Sequence, residues 1–179
     1  MKPLAASENS RPVWDLFVRI FHWTLVVCVL TNFFLNDDGE TLHQWTGYLA
    51  TALVLARVVW GFVGSRYARF ATFFPTPSRI AHHVRGLLNG QPEFEWGHNP
   101  LGALMMLALM SLVLVLGVTG WMQGLDAFWG EEWLQDLHEE TGEVLLALAG
   151  MHAAAALVMG RIERTRLLKA MVTGTKERY

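Results

Sequence analysis

Apolar residues in this chain gather into four long stretches, without the strict alternation of a half-buried strand. Residues 20–36 carry no charge between Arg19 and Asp37. Residues 41–56 carry none between Glu40 and Arg57, and the apolar character continues to Val63. Residues 96–125 form a third run, and residues 144–160 a fourth. Each supplies roughly 17 to 25 helical residues, enough to cross a hydrocarbon core of about 30 Å. Lipid offers the backbone no hydrogen-bond partner, so helices are the natural form. The pattern predicts an all-α fold, an integral membrane four-helix bundle. It forms one transmembrane domain over residues 1–179, with spans near 15–36, 41–63, 100–121 and 138–160 and a loop at 64–99. A soluble bundle would show a polar stripe on each helix, and the four runs lack one. No small-x-small cleavage pattern follows the first run, so it is expected to stay as a span.

Only 17% of residues are charged, well below the usual quarter for a soluble domain. The placement of the charges says more than the net value of -2. All 14 Lys and Arg residues fall before the first run, at Arg57, within 66–85 or from Arg161 onward. The connections at 36–42 and 121–137 hold none. They and the start of the fourth run carry Asp37, Asp38, Glu40, Asp126, Glu131, Glu132, Asp136, Glu139, Glu140 and Glu143. The positive-inside rule therefore places both termini and the 64–99 loop in the cytoplasm. Both acidic connections face outward.

With the orientation set, the histidines sort by depth. His22 lies early in an outward-running span, on the cytoplasmic side, while His43 opens the second span outside. His138 opens the fourth span outside, and His152 lies fourteen residues further on, which is about 3.9 turns and about 21 Å along one helix face. Two levels result, His43 with His138 outside and His22 with His152 inside. A single intramembrane histidine is as readily a hydrogen-bonded packing residue. Facing pairs at two levels suit the axial positions of haem iron, because helical bundles build such sites from facing side chains. A single four-histidine cluster fails on the distance between levels. No Glu-x-x-His pair for a di-iron centre occurs on these helices.

Two further features bear on that site. "HQWTG" and "HEETG" place Gly47 and Gly142 four residues after His43 and His138, one turn deeper on the same face. A glycine there lets a macrocycle edge approach the backbone, or simply assists helix packing in lipid. Arg57 stands fourteen residues after His43 and so reaches the inner level. It could pair with a haem propionate or snorkel to the headgroups. Cys28 is the only cysteine, so no C-x-x-C-H for covalent haem attachment exists. No phosphate-binding loop or dinucleotide fingerprint occurs, and no nucleic-acid partner is expected. Met105, Met106 and Met110 read as packing. His82, His83 and His98 read as solvated residues beside an interfacial helix, "PSRIAHHVRGLLNG", with a quinone-edge or proton-relay role as the alternative.

The segments "RPVWDLFVRIFHW", "LHQWTGYLATALVLARVVWGFVG", "GHNPLGALMMLALM" and "LHEETGEVLLALAGMHAAAAL" resemble the bacterial cytochrome b561 and nickel-iron hydrogenase b-type cytochrome superfamily, from Arg11 to Arg161. The resemblance implies a multi-pass cytochrome of the bacterial inner membrane with two haems b. Family pairing carries onto His22 with His152 and His43 with His138. It implies transmembrane electron transfer between the quinone/quinol pool (ubiquinone or menaquinone) and a redox partner. The acidic outer connections favour a periplasmic cytochrome c-like protein, met near Phe128, Trp129 and Trp133. A superoxide:ubiquinone oxidoreductase and a b-type subunit of a membrane hydrogenase or dehydrogenase are the alternatives. Lipid surrounds the bundle, and a homodimer is an allowed assembly.

Overall fold

The computed structural model describes residues 9–35, 40–91 and 93–179. Asp37 and Asp38 of the first acidic connection lie outside the described residues. A short strand β1 (Ser10–Pro12) leads into α1 (Leu16–Phe34), and α2 spans Thr41–Val63. Then come the short α3 (Phe70–Phe73), α4 (Pro77–Leu88) and α5 (Pro100–Gln123). A 3₁₀ turn at Asp126–Phe128 precedes α6 (Glu132–Ile162), followed by α7 (Leu167–Thr173) and the strand β2 (Thr175–Glu177).

Helices α1, α2, α5 and α6 are long and apolar enough to cross a membrane. Between 11% and 22% of their apolar windows is buried within the protein. Leu30, Leu55, Val59, Val118, Leu157 and Val158 are all exposed. Exposure of that extent over four helices requires an apolar solvent, and lipid supplies it. The soluble-bundle alternative fails on this point.

Local chemistry sets the helix starts. Asp15 Oδ1 accepts the Val18 backbone N–H at 2.8 Å, an N-cap of a type worth about 1 kcal/mol. At the head of α5, Asn99 Oδ1 accepts from the Gly102 N–H at 2.7 Å. Pro100 follows at a position whose N–H has no helical partner in any case. Helix α6 begins at Glu132, six residues ahead of His138, so the stretch expected as a loop is partly helix. Its Glu, Leu and Gln residues are good helix formers, and acids in a first turn favour the helix dipole. Gly130, at φ 80, supplies the left-handed residue that separates the 3₁₀ turn from this helix.

The chain forms two compact units. One comprises Met1–Arg19, Trp60–Leu104 and Met151–Tyr179. Its core is Val13, Trp14, Val18, Ala68 and Ala170, with Phe17 and Trp60 packed against it. Asp15 joins two elements here, since its Oδ2 accepts from Trp60 Nε1 at 3.0 Å and from Ser65 Oγ at 2.5 Å. β1 and β2 pair antiparallel, with Ser10 opposite Glu177 and Pro12 opposite Thr175. This two-stranded sheet is an addition to the expected all-α class. Three-residue strands are too short to leave a periodic trace in sequence. Gly174 closes α7 at φ 86, and its carbonyl accepts from the N–H groups of Val13 and Trp14 at 2.8 and 2.9 Å. The sheet thus holds β1 beside β2. Lys176 Nζ lies 3.0 Å from Glu163 Oε2 and donates to the Glu95 carbonyl at 2.7 Å. Asn99 Nδ2 serves the other Glu163 oxygen at 3.2 Å.

The second unit comprises Ile20–Val59 and Met105–Gly150. Helices α2 and α5 approach closely in it, where Gly117 faces Thr51 with no room for a Cβ. At the start of α2, Thr46 Oγ1 bonds to Asn32 Oδ1 and to the Leu42 carbonyl. Asn32 Nδ2 in turn donates to the His43 carbonyl at 3.4 Å. These bonds fix the first turn of α2 against the end of α1.

Candidate functional site

The second unit brings His43 of α2 and His138 of α6 together, their ring centroids 6.2 Å apart and their planes at 60°. Two imidazoles bonded to one metal at about 2 Å each place their ring centres roughly 6 Å apart. The gap therefore has the width of a shared iron. His43 Nδ1 is buried with no hydrogen-bond partner among the described residues, a state that is costly unless another group completes it. Among the described residues no group of three or more His, Cys, Asp or Glu side chains could hold a bare metal ion. Haem asks for two axial ligands only, because the macrocycle supplies the other four. The donor set fits haem b.

The ring of His138 is held from α5. Its Nδ1 lies 2.8 Å from Thr119 Oγ1, and a Cβ added at Gly120 would stand 3.2 Å from its Cε1. Neither residue stood out in the sequence, although Thr119 is one of few polar side chains in α5. The glycines selected by their spacing behave differently. A Cβ at Gly47 would meet Asn32 at 3.8 Å, and one at Gly142 would meet Phe33 at 3.5 Å. Both are ordinary contact distances. Among the described residues nothing demands glycine at either position.

The two histidines expected at the inner level fall in different units, His22 in the second and His152 in the first. His22 is half-buried and meets Trp23 edge-on at 5.1 Å. His152 is half-buried on α6. Arg57 is 1% exposed, its Nη2 4.0 Å from Met106 Sδ. The guanidinium thus lies inside the protein. Met110 is buried, in keeping with a packing role.

Helix α4 corrects another expectation. His82 is exposed and lies 3.3 Å from Glu93 Oε2, but His83 is 2% exposed. Neither His83 ring nitrogen has a hydrogen-bond partner among the described residues. It lines a cavity of about 220 Å³ with Arg79, His82, Glu93 and Glu95. The α4 pattern puts His82 and His83 on different sides of one helix, so a single "solvated" reading suits only His82. His98 is packed against Trp14 and Phe73 at 4.7 and 4.8 Å, not solvated either. On the acidic connection Trp129 and Trp133 are exposed, while Phe128 is half-buried with its ring edge toward Trp133 at 6.4 Å.

A family model described as prokaryotic cytochrome b561 matches residues 13–174. A probable Ni/Fe-hydrogenase 1 B-type cytochrome subunit of Escherichia coli K12 is 27% identical over 143 residues, covering 64% of this chain and 61% of the subunit. Probable Ni/Fe-hydrogenase B-type cytochrome subunits of Bradyrhizobium diazoefficiens and Rhizobium leguminosarum bv. viciae are each 24% identical. They cover 92% and 96% of this chain and 85% and 91% of those proteins. The chain thus spans about three-fifths of the E. coli subunit's length and most of the other two. No solved structure matches.

Proposed function

We propose that the chain, which belongs to the prokaryotic cytochrome b561 family, carries electrons across the bilayer through two haems b. The endpoints are the quinone/quinol pool and a periplasmic redox partner such as a cytochrome c. Membership makes it a multi-pass b-type cytochrome of the bacterial inner membrane. The number of haems, their ligands, the quinone and the partner are the proposal. The observation that carries it is the 6.2 Å separation of His43 and His138.

When bound, haem b supplies a one-electron iron couple, tuned by axial ligation, burial and hydrogen bonding. His43 and His138 would hold the outer group, and His22 and His152, matched in depth by sequence, the inner one. Arg57, buried at the inner level, would balance propionate charge. The basic segments would keep both ends of the chain and the α2–α5 connection cytoplasmic. Exposed Glu131, Glu132 and Asp136 would then give the periplasmic side a negative field. Such a field attracts a cationic protein face and repels superoxide.

A redox-titrated absorbance spectrum of the purified protein, with a haem count, tests the cofactor reading; two b-type couples are expected. Stopped-flow oxidation of the reduced protein by a basic cytochrome c tests the partner. The rate should fall with rising salt, and fall again when Glu131 and Glu132 become Gln. A salt-independent rate with fast haem reduction by superoxide would favour the superoxide:quinone oxidoreductase instead. The relatives' names favour a second reading, a b-type subunit docked to a hydrogenase. Co-purification with hydrogenase subunits from the native membrane would support it.

A further inference from the structure

Thr119 is buried, at 4% exposure, in the otherwise strongly apolar α5. Its hydroxyl lies 2.9 Å from the Val115 carbonyl and 3.3 Å from that of Leu116, the usual arrangement for a threonine that bonds back to its own helix. A hydroxyl has one proton to give and lone pairs to receive with. With that proton directed at its helix's carbonyls, the contact of 2.8 Å to His138 Nδ1 runs the other way, from Nδ1–H to Thr119 Oγ1. The imidazole is then the Nδ1–H tautomer, with its lone pair on Nε2. Neutral imidazole with a free nitrogen is the form that binds a metal, and the partner of the other nitrogen sets both tautomer and ring orientation.

We infer that Thr119 is the positioning residue of the outer haem, acting through His138, with Gly120 as its steric counterpart. The inference rests on the reading of His138 as an axial ligand. Helix α5 holds the ring at two consecutive positions, a hydrogen bond at 119 and a close backbone wall at 120, where a Cβ would come within 3.2 Å of Cε1. A side chain there would press on the ring and displace it by a few tenths of an ångström. The two ligands are therefore unequal. His138 has a hydroxyl acceptor behind it, whereas His43 Nδ1 has no partner among the described residues. An acceptor behind an axial imidazole makes it a stronger electron donor to iron and stabilises the oxidised state.

The test uses the purified full chain with Thr119→Val, Thr119→Ser and Gly120→Ala. Thr119→Val keeps the shape and removes the acceptor. Affinity for the outer haem should fall by about tenfold, the lower end for loss of such a partner, and its midpoint potential should move upward. The inner haem's potential, read in the same titration, should stay in place and serves as the control for folding. Thr119→Ser should restore both values. Gly120→Ala, which leaves the hydroxyl intact, should instead change the low-spin g-values of the outer haem by displacing the ring. Wild-type affinity and potential in Thr119→Val would overturn the inference, as would failure of serine to rescue. A haem count unchanged by His138→Ala would be a different result, removing the ligand reading and this inference with it.

Discussion

Glu163 and Lys176 form an ion pair of 3.0 Å in which the two side chains are 2% and 3% exposed. Burial of both charges is tolerable because each has further partners, Asn99 for the carboxylate and the Glu95 carbonyl for the ammonium. Removing one partner leaves the other charge buried and uncompensated, at about 3–5 kcal/mol. Lys176→Met should therefore lower the thermal midpoint in detergent markedly, and Lys176→Met with Glu163→Gln should recover much of it. The neighbouring Lys169–Glu177 pair is exposed, and Lys169→Met should shift the midpoint little. The hydrogen bond from Lys169 holds the Glu177 carboxyl below its ordinary value. The small contribution of that pair is thus full above the unfolded glutamate's value and lost as pH falls through the folded one.

Axial ligation predicts a reciprocal pattern of haem loss. His138→Ala should lose the outer haem and keep the inner, while His152→Ala should do the reverse. Pyridine haemochrome assay of each purified variant gives the count. Full occupancy in both would reject the pairing.

Sidedness is checked by reporters. Activity fused after Tyr179, or inserted near Gln91, should read as cytoplasmic, and an insertion near Gly130 as periplasmic. A periplasmic report from the Tyr179 fusion would reverse the proposed position of every histidine.

Helix contact makes a steric prediction. At Gly117 a Cβ would overlap the Thr51 side chain, so Gly117→Ala should force α5 away from α2. Overpacking of this kind costs about 1–3 kcal/mol. The loss appears as a lower thermal midpoint, and adding Thr51→Ala should return part of it.

Four spans were legible because crossing a bilayer is a one-dimensional requirement, a long apolar run with few charges, and α1, α2, α5 and α6 each contain such a run. The approach of His43 to His138 was legible because charge placement assigned both residues to one depth. What escaped depends on contacts between distant segments. Thr119 and Gly120 matter only because α5 passes beside His138, a neighbour nineteen positions away from Thr119. Lys176 reads as one more basic tail residue until Glu163 and the Glu95 carbonyl, 81 positions away, are brought to it. His83 looked like His82 because they are adjacent in sequence, yet helical rotation of about 100° per residue separates them, burying one and exposing the other.

The pairing of β1 with β2 makes the path of the chain a closed circuit. A short linker across Ser10 and Glu177 would add little to what those strands already hold together, and the ring could be reopened at exposed Gly130, a tip of the kind that accepts new termini. Such a circular permutant would begin at the head of α6 and end just after α5. Its haem content would then report whether assembly of the bundle depends on the order in which the helices are synthesised.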